Sequence, residues 1–359
     1  MAARLKIAEI ARRTGLSIST VSRVLAGKAN TSVRAKQLVL DSARAEGVLD
    51  QISPGRVFFS QILVFAPARA FDVREDVFYY RMLQGIRSAV EAHETHLSYC
   101  TLEEEGCDTP QFLKRMSDPA VEAALIIGVD DPKIYELTAD IGKPCVLINC
   151  RDAEMRLDAV LPDHQQIAEC TANYLISLGH RDIVTMICLR RFTLERRLNG
   201  IREAYATHNM VFDESRNLIT TSGFSSQEAA QALDAYLDLR KPDDYPTAII
   251  CVGDFMASGA MDALKRRQIN VPADISLMSI DGFNLGSIGE LSLSSGIVPR
   301  EELGQEAIAL LQRRVTRPEA PVCNLLVCGR LALGNSVRRA GNRKLKPAVS
   351  TRNHGLYGG

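Results

Sequence analysis

The stretch Ile7-Ala8-Glu9-Ile10-Ala11, followed by Thr14-Gly15-Leu16-Ser17 and then Ile18-Ser19-Thr20-Val21-Ser22-Arg23-Val24-Leu25, decides how this chain is read. Ile7, Ile10 and Ala11 recur at i, i+3 and i+4, the spacing of one face of a helix. Gly15 can supply the positive φ that a tight turn between helices needs. Ser17 is a strong N-cap for a second helix. In that helix Val21, Val24 and Leu25 repeat the spacing and turn toward the first, leaving Ile18, Ser19, Ser22 and Arg23 outside. A third helix is expected from about 33 to 46, capped by Ser32 and ended by Gly47, with Leu38, Val39 and Ala43 inward. Two short helices joined by a glycine-containing turn form a helix-turn-helix, whose second helix lies in the major groove. The outward residues suit that groove: Arg23 for guanine or phosphate, Ser19 for several base edges, Ile18 for a thymine methyl. The spacing alone does not exclude a generic three-helix bundle.

Charge points the same way. Residues 1–56 carry ten basic and four acidic side chains, net +6, while the rest of the chain is net −6. A basic arm on an acidic body suggests nucleic-acid binding. The 359 residues allow two or three domains at roughly 100–200 residues each, and 46% hydrophobic with 24% charged residues is ordinary globular composition. No apolar run approaches the ~18 residues of a membrane span, and the N-terminus lacks the apolar core of a secretory signal. The nine cysteines include no Cys-x-x-Cys pair. They are read as reduced thiols of a cytoplasmic protein, with no metal site and no cofactor expected.

Beyond residue 60, apolar strand-like runs at 62–66, 97–100, 123–128, 145–149, 183–188, 248–252 and 275–280 alternate with helical patterns near 80–92, 165–178, 197–208, 226–238, 255–267 and 301–314. Such alternation predicts parallel sheets covered on both faces. His93-Glu94-Thr95-His96 is one residue short of zinc-protease spacing. There is no Gly-x-Ser-x-Gly elbow and no P-loop, so an enzyme is not expected.

The strings Ile-Ala-Glu-Ile-Ala, Thr-Gly-Leu-Ser and Thr20-Val21-Ser22-Arg23-Val24-Leu25, together with Ser32, resemble the DNA-binding domain of the LacI/GalR family of bacterial regulators. The body resembles the periplasmic-binding-protein-like sensor of that family. The matching strings are Leu178-Gly179-His180-Arg181, Arg197-Leu198-Asn199-Gly200, Gly253 to Ala260, Val271 to Leu277 and Ser279-Ile280-Asp281-Gly282. The resemblance implies a small all-α helix-turn-helix domain followed by an α/β two-lobed domain of two parallel-sheet, Rossmann-like subdomains. Ligand would sit between the lobes, with crossovers near 162, 291 and 325. The domains then fall at 1–50 (DNA-binding), 51–60 (linker) and 61–340 (effector-binding and dimerisation). The first lobe takes about 61–162 and 292–325, the second about 163–291 and 326–340, and 341–359 forms a disordered tail. DNA contacts are implied for Lys6, Ser17, Ile18, Ser19, Thr20, Ser22, Arg23, Asn30 and Ser32.

Strand ends and resemblance together nominate the effector site. Asn149, Asp254 and Asp281 lie at or just past strand ends, where ligands of open α/β sheets bind. Arg197 occupies the family's effector-contacting arginine position, Phe224 matches a stacking aromatic, and Phe78 and Tyr79 match an aromatic pair after the first strand. Each has a plainer reading: Asp281 as a loop cap, Phe78 as core, and Arg197, after Glu195 and Arg196, in a surface salt bridge. The chain also departs from the family. Gly253 stands where Asn is frequent, Gly282 where a second Asp is frequent, and Asn149 where Asp is frequent, which points to an uncommon effector or none. The family's hinge helix, whose leucine wedges into the minor groove, is replaced by a shorter segment with the turn signal Pro54-Gly55. Ser53 as cap with Pro54 next could still open one turn, with Val57 or Phe58 as the wedge.

The expected function is a sequence-specific DNA-binding transcriptional regulator. It would be a repressor that pairs as a homodimer on a near-palindromic operator in double-stranded DNA, controlled by a sugar-like small molecule, without membrane association. The alternatives are a solute-binding protein and a regulator lacking an effector.

Overall fold

The three N-terminal helices α1 (Ala2–Thr14), α2 (Ile18–Leu25) and α3 (Val33–Ala45) close over Ile10, Ala11, Val21, Val24, Leu25, Val39, Leu40 and Ala43. The computed structural model describes residues 2–341 apart from 29–30, 53–54, 74–75, 105 and 283–290. Gly15 has φ +68°. Ser17 Oγ accepts from the Thr20 amide at 3.1 Å and Ser32 Oγ from the Ala35 amide at 3.2 Å, so both expected caps form. One expectation is corrected: Leu40 faces inward and Leu38 is 41% exposed. Successive residues turn by about 100°, so Val39, Leu40 and Ala43 share one arc and Leu38 falls on the far side of Val39.

The short helix α4 (Leu49–Ile52) leads into the linker. Ser53 and Pro54, where a hinge turn could open, lie outside the described residues. Val57, Phe58 and Phe59 are buried, so neither Val57 nor Phe58 is available as a minor-groove wedge, and that expectation is corrected. Their apolar side chains gain more from the seam between head and body than from water. The seam is also polar-locked. Phe58 N donates to Gln312 Oε1 at 3.2 Å, Lys36 Nζ meets Glu122 Oε2 at 2.6 Å, and Ser60 N donates to the same oxygen at 2.7 Å. Gly27, at φ +66°, leaves only 2.9 Å between its missing Cβ and the Val57 carbonyl oxygen, so this approach needs glycine.

In chain order the body strands are β1 (Gln61–Ala66), β2 (His96–Thr101), β3 (Ala123–Ile127), β4 (Cys145–Ile148), β5 (Asp158–Pro162), β6 (Ile183–Ile187), β7 (Leu218–Thr220), β8 (Ala248–Cys251), β9 (Ser276–Asp281), β10 (Ser294–Ile297), β11 (Asn324–Val327) and β12 (Arg330–Ala332). The helices are α5 (Val77–Val90), α6 (Thr109–Met116), α7 (Pro132–Ile141), α8 (His164–Ser177), α9 (Phe192–Thr207), α10 (Glu214–Asn217), α11 (Ser226–Asp238), α12 (Asp254–Arg266) and α13 (Arg300–Thr316). Among the described residues the strands form two six-stranded sheets, β11-β5-β4-β3-β1-β2 and β12-β10-β9-β8-β6-β7. Every pairing is parallel except β10 with β12. β3, β4, β6 and β8 are buried along their whole length, as helix-covered parallel sheets require.

The chain passes between sheets after Pro162, again between β10 and β11, and again between Val327 and Arg330. The second passage lies beyond residue 297, not near 291: Ser294–Ile297 still pairs with β9, so 292–297 belongs with the second sheet. No described helix is long and apolar enough to cross a membrane. Residues 342–359, most of the expected tail, lie outside the described residues.

Candidate functional site

Two surfaces carry the candidate chemistry. On the head, Ile18, Ser19, Ser22 and Arg23 are exposed on α2, opposite the buried Val21, Val24 and Leu25. Ile18 is 59% exposed, a water-facing aliphatic with no folding reason to be there. Ser17 Oγ lies 2.9 Å from Ser19 Oγ and 2.8 Å from Thr20 Oγ1, a hydroxyl cluster at the start of the helix. Lys6 Nζ donates to Gln51 Oε1 at 2.6 Å, beside this surface in sequence but tied to the linker side. Ser32 serves as the α3 cap, and Asn30 lies outside the described residues.

The second surface is a cleft of about 420 Å³ at the carboxyl ends of the strands. Phe78, Tyr79, Asn149, Arg197, Phe224, Asp254 and Asp281, nominated from the sequence, all line it. The sequence reading missed Arg69, Asp76, Glu104, His164, Arg190, Arg191 and Phe255, which line it too. Most of these follow strand ends. Arg69 follows β1, Glu104 follows β2, Arg190 and Arg191 follow β6, and His164 follows β5. The signal was available for Arg190-Arg191, two cations directly after a recognised strand. It was absent for His164, because β5 does not stand out in the sequence.

The polar groups form one hydrogen-bonded line across the cleft. Asp281 Oδ1 accepts from Arg197 Nη2 at 2.7 Å, and Arg197 Nε donates to His164 Nδ1 at 3.1 Å. A guanidinium is always protonated, so Nδ1 must be the acceptor and Nε2 carries the imidazole proton. That Nε2 donates to Asn149 Oδ1 at 2.9 Å, and Asn149 Nδ2 donates to Tyr79 Oη at 3.4 Å. Arg191 completes the line. It donates to Tyr79 Oη, to the Asn149 carbonyl at 2.9 Å and through Nε to Asp130 Oδ2 at 2.5 Å. Arg197 is therefore buried, 3% exposed, and the surface salt bridge reading does not hold.

Burial, reinforced by the Arg197 charge, holds His164 well below the ordinary histidine range, so it is neutral. Burial raises Asp281 while Arg197 opposes that rise. Asp281 also sits at φ +138°, a region that costs a non-glycine residue energy. Its carbonyl accepts from Arg300 Nη1 at 2.6 Å, which holds the strained residue in place. Asn149 takes φ +56°, which asparagine tolerates better than most residues. At the rim Arg190 lies over the Phe224 ring at 5.5 Å, and Phe78 stands edge-on to Tyr79 at 5.4 Å.

Residues 172–337 match the model of a periplasmic binding protein-like domain. The chain is 27% identical over 310 residues to the HTH-type transcriptional repressor CytR of Escherichia coli (strain K12), covering 84% of this chain and 87% of the relative. The solved transcriptional regulator CelR-cellobiose complex superposes with TM-score 0.66 at 22% identity, covering 92% of this chain and 99% of that one. A LacI family transcriptional regulator from Enterococcus faecium with bound ribose superposes with TM-score 0.64 at 22% identity, covering 78% of this chain and 99% of that one. The two-lobed architecture expected from the sequence is borne out.

Proposed function

We infer that this chain, related to helix-turn-helix repressors and folded like LacI-family regulators, is itself a sequence-specific DNA-binding transcriptional regulator of the LacI/GalR type. The observation that carries this is the exposed, polar outer face of α2 on a basic head, joined to a two-lobed body with a polar cleft. Residues 1–50 act as the DNA-binding head, 51–60 as the linker and 61–340 as the sensor. Two chains pair, and their two-fold axis demands a near-palindromic operator with half-sites about one helical turn or a multiple apart. Arg23 reads guanine or phosphate, with Ser19, Ser22 and Ile18 at neighbouring base edges. A small molecule in the cleft changes operator affinity through its different affinity for the two lobe arrangements. The protein acts in the cytoplasm, where its operator is.

Selection of bound duplexes from a random pool, wild type against Arg23→Ala, tests this reading. A palindromic motif enriched by wild type and lost in the variant is the expected result. Equal enrichment by both proteins, or none by either, would remove the DNA-reading role of α2. One observation favours a second reading, a regulator that needs no effector: Arg191 itself bridges Asp130, Tyr79 and Asn149 across the cleft. Operator affinity that no small molecule changes would select it.

A further inference from the structure

Donor and acceptor directions in the cleft can be followed atom by atom. Asn149 Oδ1 is taken by His164. Tyr79 Oη accepts from both Arg191 and Asn149, so its own proton remains to donate and has no acceptor among the described residues. Arg197 spends Nε on His164 and Nη2 on Asp281, while Nη1 of this 3% exposed side chain has no acceptor among the described residues. Arg190 has no carboxylate within ion-pairing distance among the described residues and rests on Phe224. Four of the carboxylates around the cleft, by contrast, are already held by guanidinium groups. Asp76 and Glu104 hold Arg69, Asp130 holds Arg191, and Asp281 holds Arg197.

The spare capacity around Tyr79, Arg190 and Arg197 is thus a set of donors, two of them cationic. A neutral sugar hydroxyl both donates and accepts and is best met by carboxylates and amides with free oxygens. A carboxylate or phosphate oxygen only accepts, and it pairs most strongly with guanidinium. Resting on the reading of this cleft as an effector site, we infer that the effector carries an anionic oxygen group, a carboxylate or phosphate ester, seated on Arg197 and Arg190. Phe78, Phe224, Leu194 and Phe255 cover the remainder of the molecule.

Calorimetric titration of the full-length chain with D-glucose, D-glucose 6-phosphate, D-glucuronate and inorganic phosphate tests this on a constant ring. At least one of the two charged sugars is expected to bind about tenfold or more tightly than glucose, with the preference shrinking in high salt. Phosphate ester alone, or acid alone, tells which anion the site takes. Inorganic phosphate binding as well as the ester assigns recognition to the anion itself and supports the inference. Arg190→Ala, an exposed change that leaves the core intact, is expected to weaken the anion about tenfold. Arg197→Gln, accepted only if its circular dichroism matches wild type, should weaken it further. Glucose binding as tightly as its charged derivatives, no binding of any anion, or an unchanged anion affinity in Arg190→Ala would overturn the inference. The regulator reading fails separately: a bound anion that leaves selected operator affinity unchanged removes the effector role and leaves the ligand chemistry standing.

Discussion

Arg191, at the end of the β6 turn in the second lobe, donates through Nε to Asp130 Oδ2 of the first lobe at 2.5 Å. This one guanidinium also reaches Tyr79 and the Asn149 carbonyl, so it links the two sheets through the chain's own side chains. Its side chain is 12% exposed and that of Asp130 23%, which limits screening by solvent.

Arg191→Ala should therefore destabilise the protein by about 2 kcal/mol, because Asp130 and Tyr79 lose a charged donor in a half-dry site. Urea unfolding of Arg191→Ala, Asp130→Asn and the double variant checks it. The two losses should be non-additive, since they break the same pair. Strict additivity would mean the bridge contributes nothing in solution.

The pH dependence follows from His164. Its folded pKa lies below the unfolded value, so the unfolded chain binds the extra proton. Its contribution is fully present above about pH 6.5 and is lost as pH falls below that value. Stability measured from pH 7.5 to 5 should fall toward acid, and His164→Gln should flatten that fall. A slope unchanged in the variant would assign the proton uptake elsewhere.

Helices α5 and α13 cross through Gly85 and Gly304. A Cβ on Gly85 would come within 1.9 Å of the Glu301 carbonyl oxygen, and one on Gly304 within 2.4 Å of the Met82 oxygen. Both meet backbone, which cannot rotate away. Gly85→Ala should cost about 3 kcal/mol, seen as a lower midpoint in thermal unfolding. A neutral result would show that these helices can separate freely.

Phe58→Ala should loosen the head, because this buried ring anchors the linker, and the backbone N–H of residue 58 keeps its hydrogen bond to Gln312 in the variant. A loss of about 3 kcal/mol from the seam is expected. Limited proteolysis should then release residues 1–55 faster than in wild type, while the body stays resistant. Equal cleavage rates would place the anchor outside this residue.

Much of the molecule is legible in its amino-acid sequence. The clearest of the seven strands recognised there are continuous apolar runs, such as Ala123–Ile127 and Ala248–Cys251, whose composition reports burial on both faces. β10 (Ser294–Ile297) is not legible, because its burial is satisfied by side-chain pairing: Ser279 Oγ donates to Ser295 Oγ at 2.8 Å across the sheet. Hydropathy cannot see a polar strand whose partner lies sixteen residues away. β5 (Asp158–Pro162) is hidden for a related reason. Asp158 is buried only because Arg314, 156 residues later, reaches it.

The sequence alone determined the helix-turn-helix, since its caps, turn glycine and apolar spacing act within a few residues of one another. It also determined the alternation that builds two parallel sheets, and it nominated seven residues that share one cleft. Only the tertiary structure decided how that cleft is wired. Whether Arg197 faces water or Asp281, whether His164 is neutral, and whether Arg191 bridges the lobes all depend on groups brought together from distant strands. The fate of the linker was decided the same way. Val57 and Phe58, candidates for the wedge in the sequence, are core where the head meets the body, because an apolar side chain specifies only that it leave water and not what it packs against.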